Sequence, residues 1–373
     1  MQTWTEVEQS DAAAAKGITS LSTDNDADLV PRWGVIHVHT DHSDGNRSVP
    51  QVVEAAAQAG LDFVIVTDHN TQAARCDEGY HGRVLLGVEV EVTPSRFGRH
   101  LLALGLERLP NDLHRRSTPA ILAEIHAQNA FAWVPHPAGF LNPWLATYNA
   151  PWRRWDQPID GIELSTFLVD WAVSVRPWNL RSRLVRGHLP DSMPSRELLA
   201  RWDRLNQERS VVGFVGLDAH YRQALGGRVR TPAYEQLFRT HQLVAWTPPP
   251  TGDAGLDLEA LRTTLREGRF ANVLGAGLGR ADVRWERAGD GLRIAVATDD
   301  PIEVCLIRDG HRSVVSPDAD GLVAIAGPGL YRAEIYCQER LWVLTNPIRV
   351  GATAGEVGPG RAARSRVGAT AKA

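Results

Sequence analysis

Along residues 33–275, short apolar runs alternate with amphipathic stretches. The first run, Trp33-Gly-Val-Ile-His37-Val-His39, puts two histidines on alternate positions. Side chains of a strand alternate between its faces, so His37 and His39 are expected to point one way while Ile36 and Val38 face the packed side. Ser48-Val-Pro50 then introduces a helix through Val53–Ala59, which Gly60 stops as a left-handed cap. Strand patterns follow at Phe63–Thr67, Val84–Val90 and His100–Leu104, a helical pattern at 119–128, and further strands at Phe131–Val134, Gly161–Leu164 and Val211–Leu217. Runs this short and apolar, separated by helices, predict parallel strands buried on both faces.

Polar residues close nearly every one of these runs: His37 and His39, Asp68-His69, Glu89, His136, Glu163, and Asp218 with His220. Such residues gathered at strand ends are what the mouth of a β/α barrel requires. An open doubly wound sheet competes, but it would gather ligands at one crevice.

Thr247-Pro-Pro-Pro-Thr-Gly-Asp253 is a surface connection, and Leu256–Gly268 has the pattern of a final helix. After about residue 280 the period changes to two, in short strands with turn signals at regular spacing, which predicts a small all-β sandwich. The expected organisation is a disordered leader over 1–30, the barrel over 31–280, the β-sandwich over 281–350 and a disordered Gly/Ala/Arg-rich tail over 351–373.

Composition narrows the chemistry. The 373 residues, 43% hydrophobic, can bury a large core, and a net charge of −4 offers no basic field for a phosphate backbone, which disfavours nucleic acid as a partner. Cys76, Cys305 and Cys337 are scattered without a CxxC pair, so neither a disulfide framework nor a zinc-thiolate knuckle is expected and a reducing cytoplasm fits best. The first thirty residues lack the pattern of a signal peptide, and no apolar run is long enough to suggest a membrane helix.

Taken in order, His37-Val-His39-Thr with Ser43-Asp44-Gly45, Thr67-Asp68-His69-Asn70, Gly87-Val-Glu89, His100-Leu-Leu-Ala-Leu-Gly105, Pro135-His136-Pro137 and Gly216-Leu-Asp218-Ala-His220 resemble the ordered motifs of the PHP (polymerase and histidinol phosphatase) superfamily. The resemblance implies a distorted, TIM-like seven-stranded barrel with two or three divalent metals. It also implies their ligands: His37, His39, Glu89 and Asp218 for the first; Glu89, bridging, with His100 and His136 for the second; Asp44, His69 and His220 for the third. Glu91 shares the strand parity of Glu89, so both carboxylates could reach the mouth, and the Gly-x-Glu spacing favours Glu89. Imidazoles mixed with hard carboxylates suit Zn²⁺, Mn²⁺ or Fe²⁺.

Asp218 and His220 are the expected proton-handling pair. Asp68, Glu163 and Arg222 are expected to orient ligands or touch substrate, and Arg47, Arg75, Arg96 and Arg99 are further candidates for an anionic group. The implied activity is hydrolysis of a small phosphate ester. Within the superfamily the sequence also resembles the CehA/McbA-type metallohydrolases, through Gly60-Leu-Asp-Phe-Val-Ile-Val-Thr-Asp68, Leu265-Arg-Glu-Gly-Arg269 and Thr345-Asn-Pro-Ile348, which keeps a carbamate or carboxylic ester open as substrate. A metal-binding scaffold without catalysis is the alternative of a different class. The six tryptophans Trp133, Trp144, Trp152, Trp155, Trp171 and Trp178 belong either to ordinary packing or to an aromatic wall at the mouth.

Overall fold

The computed structural model describes residues 29–94, 99–143, 147–184, 189–221, 223–224, 229–275, 282–288 and 291–351. Residues 1–28 and 352–373, most of the expected leader and tail, lie outside the described residues.

The chain opens with β1 (Val30–Val38), which starts inside the stretch expected as leader, and continues through α1 (Val49–Gln58), β2 (Phe63–His69), β3 (Gly79–His81), β4 (Val84–Val92) and β5 (Leu101–Leu104). Then come α2 (Thr118–Ala127), β6 (Phe131–Val134), a hairpin of β7 (Phe140–Asn142) and β8 (Thr147–Asn149), β9 (Gly161–Thr166), α3 (Phe167–Ser174), α4 (Leu180–Leu184), α5 (Arg196–Glu208) and β10 (Val212–Gly216). A small hairpin of β11 (Gln223–Ala224) and β12 (Val229–Arg230) precedes α6 (Tyr234–Leu237), β13 (His241–Thr247), α7 (Ala254–Arg266) and β14 (Phe270–Leu274). The remaining strands are β15 (Asp282–Ala288), β16 (Gly291–Ala297), β17 (Ile302–Arg308), β18 (His311–Val315), β19 (Leu322–Ala324), β20 (Gly329–Cys337), β21 (Arg340–Thr345) and β22 (Ile348–Val350).

Local sequence explains the boundaries of α1. Ser48 N donates to Gln51 Oε1 at 3.1 Å across the first turn, Pro50 sits where its missing N–H costs nothing, and Gly60 at φ 72 turns the chain out.

The large sheet runs β10-β9-β6-β5-β4-β2-β1-β13-β14-β21-β20-β17-β18. Strands β1, β2 and β4 are mutually parallel, as are β6, β9 and β10, but β5 is antiparallel to both β4 and β6. The expectation of uniformly parallel strands fails there because residues 93–100 leave no room for the crossover that a parallel return needs. Reversal has a useful result: β5 begins at the sheet end where its neighbours finish.

This sheet is not closed, as the distorted seven-stranded barrel expected from the sequence would be. Just beyond β10, Ala219 bridges to Val38, with His39 N to Ala219 O at 3.0 Å and Ala219 N to His37 O at 3.2 Å, so the chain meets β1 through the residues that follow β10. Farther down β10, side chains replace a strand: Gly213 N donates to Asn346 Oδ1 at 2.7 Å, Val215 N to Asn272 Oδ1 at 2.8 Å, and Asn272 Nδ2 donates to Gly213 O at 3.0 Å. The C-terminal strands divide between two sheets that share one apolar cluster, with Trp285 and Ile294 from one and Leu306 and Ile335 from the other. β14 pairs antiparallel with β21, which carries β17, β18, β20, β21 and β22 into the same sheet, while β15, β16 and β19 make a separate three-stranded sheet.

Two apolar clusters hold the layers together. One contains Ile36, Phe63, Ile65, Leu85, Trp133, Phe214 and the α7 residues Leu258, Leu261 and Leu265; the other contains Val35, Val38, Val64, Val66, Leu86 and Val88 with Val52 and Ala56 of α1. Ile36 and Val38 therefore lie in different clusters, contrary to simple alternation. Between them the β1–β2 register shifts, and His37 occupies the extra position at φ 67. A bulge of this kind re-aims one side chain.

Candidate metal centre

Strand ends and the turns after them bring nine titratable side chains together. His37 and His39 come from the end of β1, Asp44 from the following turn, His69 from the end of β2, Glu91 from β4, His100 from just before reversed β5, His136 from after β6, and Asp218 and His220 from after β10. Glu91 lies at the middle. Its Oε2 is 3.2 Å from His37 Nε2, 3.2 Å from His39 Nε2 and 3.5 Å from His69 Nδ1. Its Oε1 is 2.5 Å from His100 Nδ1 and 3.6 Å from His136 Nε2. Asp218 Oδ1 is 3.3 Å from the Nε2 atoms of both His37 and His39, and Asp44 Oδ1 is 2.9 Å from His220 Nε2 and 3.6 Å from His69 Nε2.

Three groups of potential ligand atoms follow, each with all its atoms within 4.8 Å of one another: His37, His39, Glu91 and Asp218; His69, Glu91 and His100; and His39, Asp44, His69 and His220.

Glu89, the carboxylate expected from its Gly-x-Glu spacing, is not among them. It shares a face with Glu91 but lies one pleat, roughly 7 Å, farther from the strand end. There Arg262 of α7 donates through Nε to Glu89 Oε1 at 2.6 Å, and Gly105 N donates to Oε2 at 2.7 Å. The same guanidinium reaches Glu78 Oε2 at 2.9 Å. Parity alone could not separate two glutamates on one face; their depth relative to α7 does.

The backbone beneath the cluster is held in unusual conformations. His37, His136 and Asp218 have φ of 67°, 32° and 53°, at a cost of about 1–3 kcal/mol each. Fixed partners surround them. Glu163 Oε1 is 2.8 Å from His37 Nδ1, its Oε2 accepts from His136 N at 2.6 Å, and Thr166 Oγ1 also donates to it. Space for that carboxylate exists because residue 216 is glycine: a Cβ there would sit 1.9 Å from Glu163 Oε1.

Asn149, at the end of the β7–β8 hairpin, places its side-chain amide 2.7 Å from His136 Nδ1, a contact with no signal in the motif pattern. His220 Nδ1 donates to Asp218 O at 2.7 Å, which leaves Nε2 facing Asp44. Asp68, expected to orient ligand histidines, instead accepts from the Thr40–Ser43 turn.

Electrostatics keeps the carboxylates ionised. Burial pushes the Glu91 pKa up, but His69, His100 and His37 outweigh it and hold the carboxyl well below its usual range. Asp218 and Asp44 are likewise depressed, burial being overcome by His220 and neighbouring imidazoles. For His37 and His39, burial lowers the pKa, yet Glu163, Asp218 and Glu91 hold His37 well above its ordinary value, and Asp218 with Glu91 raise His39 to about 9. Burial, helped by His39 and His100 against the attraction of Glu91 and Asp44, brings His69 down to about 4.

The donor set fits divalent cations. Both ring nitrogens of the fully buried His39 lack a hydrogen bond, although Nε2 points at two carboxylates. Three carboxylates and six imidazoles in one pocket supply the oxygen and nitrogen ligands that borderline divalent ions take, and Glu91, reached from both sides, is placed to be shared.

No family model matches the chain. A phosphoribosyl 1,2-cyclic phosphate 1,2-diphosphodiesterase from Eggerthella lenta is 37% identical over 79 residues, which is 19% of this chain and 30% of that protein's length. Among solved structures, a two-domain protein from Bacteroides vulgatus, described as containing a predicted PHP-like metal-dependent phosphoesterase, is matched over 90% of this chain and 100% of its own at 17% identity and a TM-score of 0.42. An amidohydrolase from Chromobacterium violaceum, with bound sulfate and no metal, is matched over 55% of this chain and 95% of its own, at 14% identity and a TM-score of 0.30.

The remaining candidates divide. Arg75 is tied to Glu107 O and Leu106 O, and Arg47 lies over the Tyr221 ring at 4.4 Å. Arg99 precedes His100, and its Nε lacks a hydrogen bond. Arg96 and Arg222 lie outside the described residues, as does Trp144. Trp133, Trp152 and Trp171 are buried, while Trp178 is 81% exposed. No helix among the described residues is long and apolar enough to cross a membrane.

Proposed function

We propose that the chain is a metal-dependent phosphoesterase in which Glu91 would be a ligand shared between two of up to three divalent ions. The observation that carries this reading is the placement of Glu91, with five histidines from four segments within 3.6 Å of its two oxygens. His37, His39, Glu91 and Asp218 would hold one ion, Glu91, His100 and His136 a second, and Asp44, His69 and His220 a third. Bound ions of this kind lower the pKa of a coordinated water and offset charge building on phosphoryl oxygens.

The protein's own groups supply the rest. Side-chain exposure rises from 0% at His37, His39 and Glu91 to 24% at His69 and 40% at Asp44, so a substrate approaches over the His69–Asp44 side. Glu163 fixes the His37 ring by holding Nδ1, which leaves Nε2 directed into the pocket. Asp218, kept ionised, is the carboxylate positioned to take a proton from the attacking water and pass it to the leaving alkoxide, while His220, with Nδ1 tied to Asp218 O, keeps Nε2 directed at the third subsite. Residues 31–280 would carry this chemistry, with 281–350 contributing further strands. Nothing in the comparisons supports the carbamate or carboxylic-ester alternative.

Metal analysis of the purified chain, followed by assay on aryl phosphate monoesters and diesters with and without chelator, tests the reading. Hydrolysis that chelation abolishes and Mn²⁺ or Zn²⁺ restores is the expected result. Full metal occupancy without cleavage of any phosphate ester would favour the scaffold instead.

A further inference from the structure

We infer that Asp68 is a positioning residue for the third cation subsite, acting through the Thr40–Asp44 turn and not through a histidine. This rests on the metal-binding reading above and adds a residue whose side chain touches none of the ligand side chains.

Asp68 is 2% exposed and lies next to His69 at the end of β2, a place where an acid would be expected to hold a ligand imidazole. Its oxygens are occupied otherwise. Oδ1 accepts from Thr40 N at 2.7 Å and from Ser43 Oγ at 2.5 Å, and Oδ2 accepts from Thr40 Oγ1 at 2.6 Å. All three donors belong to the turn that leaves β1 after His39. That turn then folds on itself: Ser43 N and Gly45 N both donate to Thr40 O, at 3.2 and 3.0 Å, and Asn46 N donates to His220 O at 2.9 Å. A Cβ at residue 45 would come within 2.4 Å of His39 O, so the tight return requires glycine there.

Asp44 sits between the Ser43 and Gly45 anchors. It is the one third-subsite candidate carried by a turn instead of a strand end or the bridge after β10, and its side chain is the most exposed of the group. Without Asp68, the Thr40 amide and the Thr40 and Ser43 hydroxyls lose their buried acceptor. Asp44 would then leave His69 and His220, whereas His37, Glu91, His100 and His136 are held by other segments.

The test is Mn²⁺ titration of the metal-free chain, read as ions bound per chain and stepwise affinity, for wild type, Asp68→Ala, Asp68→Asn, Ser43→Ala and Asp44→Ala. Wild type should take three ions. Asp68→Ala should keep the two tighter ions, which also reports that it folds, and weaken the third about tenfold or more. Asp68→Asn, which retains an acceptor oxygen, should recover part of that loss, and Ser43→Ala should give a smaller loss if Asp68→Ala does not fold.

In an Asp44→Ala background, Asp68→Ala should change the third-ion affinity less than about twofold, since both act through one carboxylate. Undiminished third-ion affinity in Asp68→Ala and Ser43→Ala, or full additivity with Asp44→Ala, would overturn the inference while leaving the other two subsites in place. A wild-type chain that never takes a third ion would overturn both the subsite and the role of Asp68 in it.

Discussion

Glu163 Oε1 faces His37 Nδ1 at 2.8 Å, with both side chains completely buried. The pairing aims His37 Nε2 at Glu91 and Asp218 and makes Glu163 part of the price of metal affinity. Replacing Glu163 with alanine should weaken the tightest divalent ion about 10–100-fold, measured by competition with a chromophoric chelator. Gly216→Ala should have a similar effect, because its Cβ would displace the same carboxylate. Unchanged affinity in both variants would show that His37 orientation does not depend on Glu163.

Glu91 and Glu89 should separate cleanly in experiment. Glu91→Gln should lose the metal ions that share its carboxylate and, with them, hydrolysis. Glu89→Gln should keep metal content and lower stability by up to about 3 kcal/mol, because Arg262 is left with Glu78 alone. Metal analysis paired with urea unfolding distinguishes the two; metal loss in Glu89→Gln would contradict the placement.

The sequence made the convergence of histidines at strand ends legible, since short apolar runs ending in His, Asp or Glu recur in a fixed order. It could not show which of two same-face glutamates lies at the right depth, because that depends on α7, which is remote in sequence. Nor could alternation foresee His37, whose positive φ breaks the period that seemed to align it with His39. Asn149 carries no motif, and its approach to His136 arises only because the β7–β8 hairpin folds back over the strand end. The closed barrel was over-read because period and length say nothing about strand direction or about what happens beyond β1.

Stability of the metal-free chain should depend on pH on both sides. Burial alone would lower the pKa of His39, but Asp218 and Glu91 hold it at about 9. A raised imidazole pKa contributes stability that is fully present below its unfolded value of about 6.5 and is lost as pH rises through the folded value. Glu91 and Asp218, depressed in the fold, contribute above their unfolded values of about 4 and lose that contribution as pH falls through their folded ones. Thermal melts of the metal-free chain should therefore fall between about pH 6.5 and about pH 9, whereas bound cations should remove most of that slope. A metal-free melt that is flat over this window would contradict the charged imidazoles.

Asn149→Ala should weaken a second divalent ion about tenfold through loss of the His136 Nδ1 partner, with little change at the tightest site. Stepwise Mn²⁺ titration reads the difference. Equal weakening at every step would point to general loosening of the hairpin.

The asparagines that complete β10 tie the pocket to the far end of the chain. Gly213 and Val215 take their bonding partners from Asn346 and Asn272, and β10 leads directly into Asp218 and His220. Shortening the protein ahead of residue 346 would strip an amide of its acceptor next to the strand that delivers those two groups. The late strands are thus a brace for the chemistry, and a version trimmed to the histidine-rich portion should forfeit cation binding before it forfeits its secondary structure.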